Sequence, residues 1–354
     1  MSEIFNLGGR ILVVGSLAFD HTMSHVGSFK DAILPGNYNI SLPSASRQVF
    51  HGGCGGNIAY SLSLLGERPV LLSQVGRDFD KPCRPTRLVG VCRPTRLVGV
   101  GGEGYGERLS ALGIDVSFVA RSANLLTACA FIVTDEEENQ VTIFDAGAMH
   151  GSDSKVNVSD IVLSEGQNGK IRRAIIAPDK PSSMLRYAKE CDNLKIPYIF
   201  DPGQQITLFG NDDLISAICG AEILIVNEYE GGLLAQKLGA SCADIAKMSG
   251  IYIETRGAKG AMVQVNEREK SGATPTISNI NAIVPVQIVD PTGSGDAFRA
   301  GLLVGLQRGF AIEKACRVGA LIATYSLECA GTQCHFFTVE EFADRYKKSC
   351  DENF

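Results

Sequence analysis

The run Val289-Asp290-Pro291-Thr292-Gly293-Ser294-Gly295-Asp296 combines three nearly bare backbone positions with two carboxylates. An amphipathic helical pattern follows at once. Gly293, Ser294 and Gly295 carry little bulk, so their N–H groups can converge at a helix N-terminus. Unpaired amides and the helix dipole stabilise an anion there. Asp296, in the same turn, is placed to accept the proton of an attacking hydroxyl. Together these groups suit phosphoryl transfer, in which charge on the equatorial oxygens needs such donors. An ordinary helix N-cap fits the same residues. The spacing is not that of a P-loop. Val14-Gly15-Ser16-Leu17-Ala18-Phe19 does not form the G-x-G-x-x-G turn of dinucleotide binders.

A second cluster, His51-Gly52-Gly53-Cys54-Gly55-Gly56-Asn57, also opens a helix. Glycines admit a ligand close to the backbone, and Asn57 can donate to and accept from hydroxyls. A flexible turn with an Asn cap is the plainer alternative. Asp20 lies just past the first strand, near the edge of the sheet where α/β folds bind ligands. It could hold a pair of sugar hydroxyls, or be an exposed loop acid.

The elements that must position these residues read as alternating strands and helices. Ile11–Val14, Val70–Val75, Ala174–Ala177, Tyr198–Asp201, Ile223–Val226 and Ile251–Glu254 are short apolar runs at intervals suited to β-α-β units. They predict a three-layer α/β/α fold around a mostly parallel sheet. Ile58, Leu62 and Leu65 recur at helical spacing, as do Phe298, Leu302, Leu303 and Leu306; Ile312–Leu327 reads as one long helix. Met23–Phe50 has no helical period. Cys129–Thr134 and Val141–Phe144 flank an acidic turn and read as a β-hairpin. These two regions are expected to meet as a small β-sheet lid.

The 354 residues are 45% hydrophobic and 20% charged, with a net charge of −6. This is a globular balance that can bury a large core. It argues against a nucleic-acid surface, which needs clustered Lys and Arg. No apolar run is long enough to span a membrane, and Met1–Arg10 does not read as a signal peptide. A cytoplasmic protein is expected. The 11 cysteines are scattered without a C-x-x-C pair and read as reduced thiols. Cys334 beside His335 is the only adjacent Cys/His pair, so no structural metal site is expected. Cys83–Val91 repeats without change as Cys92–Val100. Two copies do not make a solenoid. The block reads as a recent duplication on a surface loop, with a basic anion- or partner-gripping loop as the alternative.

The early G-G-x-x-x-N run, the late D-x-T-G-x-G-D run and their wide separation resemble the two signatures of the ribokinase-like (PfkB) carbohydrate kinases. The resemblance spans about residues 10–346. Asn227-Glu228-Tyr229-Glu230 is similar to the family's N-x-x-E, and Thr255-Arg256-Gly257-Ala258-Lys259-Gly260 to its T-x-G-x-x-G turn beside the nucleotide. The resemblance implies one ribokinase-like kinase domain over 1–354, using ATP and Mg²⁺. Asp296 would be the base, with the amides of Gly293, Ser294, Gly295 and Asp296 as an anion hole. Asn227, Glu230, Thr255, Gly257 and Gly260 would face ATP, with Glu230 holding Mg²⁺ through water. Asp290 and Thr292 would lie near a monovalent cation such as K⁺. Asp20, Gly52, Gly53 and Asn57 would hold substrate hydroxyls. The lid would be built from about 20–50 and 115–150.

Phe200-Asp201-Pro202-Gly203-Gln204-Gln205, Arg299-Ala300-Gly301 and Gly331-Thr332-Gln333 look most similar to a bacterial adenosine-kinase-like branch. That implies a nucleoside acceptor, foremost the 5′-hydroxyl of adenosine. Phe131 and Phe144 could then stack the purine, or pack within the lid. Ser16 stands where some adenosine kinases carry Asn at the ribose. A sugar kinase acting on ribose or fructose is the alternative, and a non-catalytic nucleoside or sugar sensor is the reading from another class. Relative to the family, residues 83–104 look like an inserted loop. Open lid edges invite pairing with a second copy, so a homodimer is a further expectation.

Overall fold

The computed structural model describes residues 8–32, 40–81, 104–137, 139–151, 155–165, 170–266 and 274–354. The strands are β1 (Arg10–Val14), β2 (Ala18–His25), β3 (Ser44–Gly52), β4 (Val70–Val75), β5 (Val119–Arg121), β6 (Ala128–Thr134), β7 (Gln140–Asp145), β8 (Ile171–Ile176), β9 (Tyr198–Phe200), β10 (Ile223–Asn227), β11 (Ile251–Thr255), β12 (Ala261–Val265) and β13 (Thr276–Ile280). Among the described residues they form a sheet of order β13-β12-β11-β10-β9-β8-β1-β4-β5 and a smaller one of order β3-β2-β6-β7. The large sheet is parallel except at β12, which runs antiparallel to both neighbours.

Both faces of the large sheet are buried, which is why its strands read as continuous apolar runs rather than alternating ones. Ile11 and Val13 enter one core, with residues of the helices Cys54–Leu64, Ser294–Gln307, Ile312–Leu327 and Val339–Cys350. Leu12 and Val14 enter the other, with the helices Pro181–Asn193, Asn211–Gly220 and Glu228–Leu238. This is the expected three-layer fold.

The chain leaves β1 toward β4 on one side and β8 on the other, so the strand order reverses at the β1/β8 boundary. The crevice beyond the carboxyl ends of those strands is where such sheets bind ligands. At that edge Ser16 N–H donates to Pro178 O at 3.0 Å. No described helix is long and apolar enough to cross a membrane.

The small sheet combines the two regions expected to meet. β2 pairs antiparallel with β3 and parallel with β6, and β6 pairs antiparallel with β7. Among the described residues between β2 and β3 is a short helix, Phe29–Ala32, which the sequence reading lacks. Asp135 ties it down by accepting from Phe29 N–H at 2.9 Å. The duplicated block lies outside the described residues. Its flanks are described: Tyr105 N–H donates to Phe79 O at 3.0 Å, so the chain on either side of the block meets.

Candidate active site

Two glycine-rich turns deliver two helix N-termini to one point. Gly293 caps the helix Ser294–Gln307 in the left-handed conformation, at φ 78°. A Cβ there would cost strain and would meet the Thr332 side chain at 2.9 Å. In the first turn of this 14-residue helix Ser294 N–H donates to Pro291 O at 3.3 Å, whereas the N–H groups of Gly295 and Asp296 have no carbonyl one turn back to bond, which makes them available to an anion. Gly53, at φ 87°, likewise precedes the helix Cys54–Leu64. Its neighbour Gly52 lies beneath the Asp20 carboxylate, where a Cβ would overlap. Ser16 secures this second helix start. Its hydroxyl accepts from Cys54 N–H at 3.2 Å, and its carbonyl accepts from the N–H groups of Gly55 and Gly56.

The turns meet through side chains. Asn57 Nδ2 donates to Asp296 Oδ2 at 2.8 Å, although the residues are 239 apart in sequence. Burial raises the Asp296 carboxyl to about 6, the nearby Asp201 pushes the same way, and the Arg299 charge and the Asn57 donor oppose the rise. A carboxyl so poised is ionised near neutrality yet still takes a proton readily. Asp20 also faces this point. Its carboxyl is lifted to about 7, first by burial and then by the charges of Asp296 and Asp290. Two carboxylates repelling each other across a crevice are relieved when one shares its charge with hydroxyl donors.

Beneath the turn Gly293–Asp296 lies a buried ion pair. Arg299 Nη2 stands 2.8 Å from Asp201 Oδ1 and its Nε also meets that carboxylate, while Nη1 donates to Gly295 O at 3.0 Å. Arg299 therefore couples the anion turn to the end of β9. The sequence reading used Asp201, Arg299 and Gln333 only as branch markers. The signal it passed over was a full charge set among Phe298, Ala300 and Leu302 on a buried helical face, where an ion requires a partner.

The residues expected at the nucleotide occupy the carboxyl ends of β10 and β11, farther along the same edge. Asn227 and Glu230 form a reciprocal cap: Glu230 N–H donates to Asn227 Oδ1 and Asn227 N–H to Glu230 Oε2, both at 2.8 Å. Burial raises the Glu230 carboxyl, with the Asp201 charge adding to it. Thr255 closes β11, and Gly257 and Gly260 follow at φ 55° and 84°. Asp290 staples its own loop, accepting from Thr292 N–H at 2.9 Å and Gly331 N–H at 3.0 Å.

The proposed aromatic pair needs correction. Phe144 pairs with Ala130, and Ala130 with Asp20, so these three share one face of the small sheet. Phe131 pairs with Ile143 and with His21, stacking on the latter at 5.1 Å, so it lies on the opposite face. With a side-chain period of 2, adjacent registers cannot both face one base. Only Phe144 remains on the Asp20 side.

Residues 97–336 match the pfkB family of carbohydrate kinases. The chain belongs to this family, and it is a kinase. It is 28% identical over 337 residues to a nucleoside kinase of Methanothermobacter thermautotrophicus, covering 95% of each chain. Its fold is similar to that of the Burkholderia thailandensis nucleoside kinase in complex with inosine, with a TM-score of 0.76 and 30% identity over 97% of this chain and 99% of that one. The nucleoside kinase of Methanocaldococcus jannaschii is similar at a TM-score of 0.75 and 26% identity, over 96% and 100%. Within this pfkB kinase, the two turns that resemble the family signatures are the two that meet at Asn57 and Asp296.

Proposed function

We propose that this pfkB kinase transfers the γ-phosphoryl group of ATP to the 5′-hydroxyl of a nucleoside, with adenosine among its acceptors. The hydrogen bond between Asn57 and Asp296 carries the reading, because it joins the hydroxyl-binding turn to the base in one crevice. Asp296 takes the hydroxyl proton, and the amides of Gly293, Ser294, Gly295 and Asp296 receive the developing charge. Asp20, Gly52, Gly53 and Asn57 hold the ribose, with Ser16 fixing the start of their helix. Phe144 offers a face to the base. Asn227, Thr255, Gly257 and Gly260 border the ATP. Glu230, whose carboxyl is raised by burial and by the Asp201 charge against the opposing Arg299 charge, suits water-bound Mg²⁺, which would neutralise the phosphates. Asp290 and Thr292 would border a monovalent cation. ATP as donor suits work in the cytoplasm. The similarity to nucleoside kinases, one of them with inosine bound, supports a nucleoside over a free sugar.

A coupled assay with adenosine, inosine, cytidine, ribose and fructose in parallel tests this, each with and without EDTA and in K⁺ or tetramethylammonium salts. Turnover of nucleosides that needs Mg²⁺ and is faster in K⁺ is expected. Turnover of ribose or fructose alone would make it a sugar kinase, and binding without turnover a sensor.

Two further features belong to this reading. Residues 83–104 would be dispensable to the fold, since the chain on either side already meets at Phe79 and Tyr105. Deleting them should leave melting temperature and turnover unchanged; a clear loss of either rejects the idea. The lid face turned away from Asp20 carries exposed Phe131, Val141 and Ile143. A second copy of the chain would cover them, giving a homodimer. Sedimentation should find a dimer that Ile143→Asp splits, whereas a monomeric parent protein would dispose of it.

A further inference from the structure

A chain of hydrogen bonds enters the site from the side opposite Arg299. Arg108, on the helix Tyr105–Ala111, donates from Nη1 to Gln333 Oε1 at 2.6 Å and from Nη2 to Gln333 O at 3.0 Å. Gln333 Nε2 donates to Asn57 Oδ1 at 3.1 Å and meets the Tyr105 hydroxyl at 2.5 Å. The Tyr105 hydroxyl donates to Gly52 O at 2.9 Å. Asn57 Nδ2 ends the chain on Asp296.

An isolated amide can present either its oxygen or its nitrogen to a neighbour. A guanidinium cannot, for it has only donors. With Arg108 at one end, Gln333 must turn its oxygen outward and its nitrogen inward. Asn57 must then do the same, which leaves an N–H aimed at the carboxylate. The direction of every bond follows from the charge at the far end. Gln333 and Asn57 are buried, so water does not supply a competing donor. The neighbouring rings do not reverse the order either. Burial, and after it the Arg108 charge, lowers His51 and His335 to about 3, and burial pushes the Tyr105 hydroxyl up.

We propose that Arg108 is a positioning residue that sets the direction of the Gln333–Asn57 amide relay and thereby keeps a hydrogen-bond donor on Asp296. The inference rests on Asp296 being the base. The other groups facing that carboxylate are Cys54 from the same helix as Asn57, Asp20 from β2, Tyr105, Asp201 after β9, Glu230, and Arg299 from its own helix. Changes at Arg108 and Gln333 touch only Tyr105 among these, whose hydroxyl meets Gln333 Nε2.

Two variants separate direction from scaffolding, both read as the pH profile of kcat/KM with a nucleoside acceptor. Arg108→Met frees Gln333 to turn. Gln333→Glu keeps a partner for Arg108 but offers Asn57 only acceptors, so Asn57 must turn its nitrogen away from Asp296. In each the acid limb should move up by about one pH unit. Arg108→Lys, which retains donors, should restore much of the shift. In Gln333→Glu the shift should come without loss of melting temperature, which a purely structural role would not give. Should Arg108→Met fail to fold, Gln333→Glu decides alone. An unmoved acid limb, together with lost turnover in Asp296→Asn, overturns the relay and leaves the base in place. Near-normal turnover in Asp296→Asn instead removes the base.

Discussion

Asp296→Asn is expected to lower kcat by about two to four orders of magnitude while nucleoside binding, read by calorimetry, persists. The amide keeps the shape and a hydrogen-bonding partner for Asn57 but cannot take the proton. Turnover of the parent enzyme should fall below about pH 6, where the carboxyl is protonated. Stability should move the opposite way. A carboxyl whose native value lies above its unfolded value of 3.8 binds its proton more tightly when folded. Its contribution is present below 3.8 and is lost as the pH rises through about 6. The variant, with no charge to bury, should therefore melt higher than the parent at pH 8 and level with it at pH 4. Such a gain in stability with loss of function is what a buried, repelled catalytic acid produces. Variants with near-parent kcat would exclude Asp296 from the chemistry.

Arg299→Met is expected to have the largest effect on the fold. The pair it forms with Asp201 is buried, and removing one member leaves a carboxylate without a counter-charge. Such a loss costs about 3–5 kcal/mol, where an exposed pair is worth under about 1 kcal/mol. The Gly295 carbonyl also loses its donor, so the anion turn loosens and kcat falls with the stability. Denaturant unfolding of Arg299→Met, Asp201→Leu and the double variant measures this. The double variant should recover part of the loss, because no lone charge remains. A single-variant loss under about 1 kcal/mol would show that the pair is not load-sharing with the turn.

The local elements were readable because their signals are local. Val70–Val75 and Ile312–Leu327 stand where apolar spacing puts them; the first hairpin strand begins one residue early, and the second exceeds its expected bounds by one residue at each end. Strand Ala18–His25 was harder. It places Asp20 within the lid sheet rather than on a loop, and its half-buried polar residues have no strong period.

The sequence alone determined that a glycine-rich turn opens a helix in each half of an α/β fold, the second turn carrying a carboxylate, because turn and helix signals are carried by residues a few positions apart. Tertiary structure decided which of these groups meet. It brought Asn57 to Asp296, joined Arg299 to Asp201, lined up Arg108 behind Gln333, and put Phe131 on the far face from Phe144. Those relations depend on strand order and register across separations of up to 239 residues, and no local pattern encodes a contact between side chains so far apart.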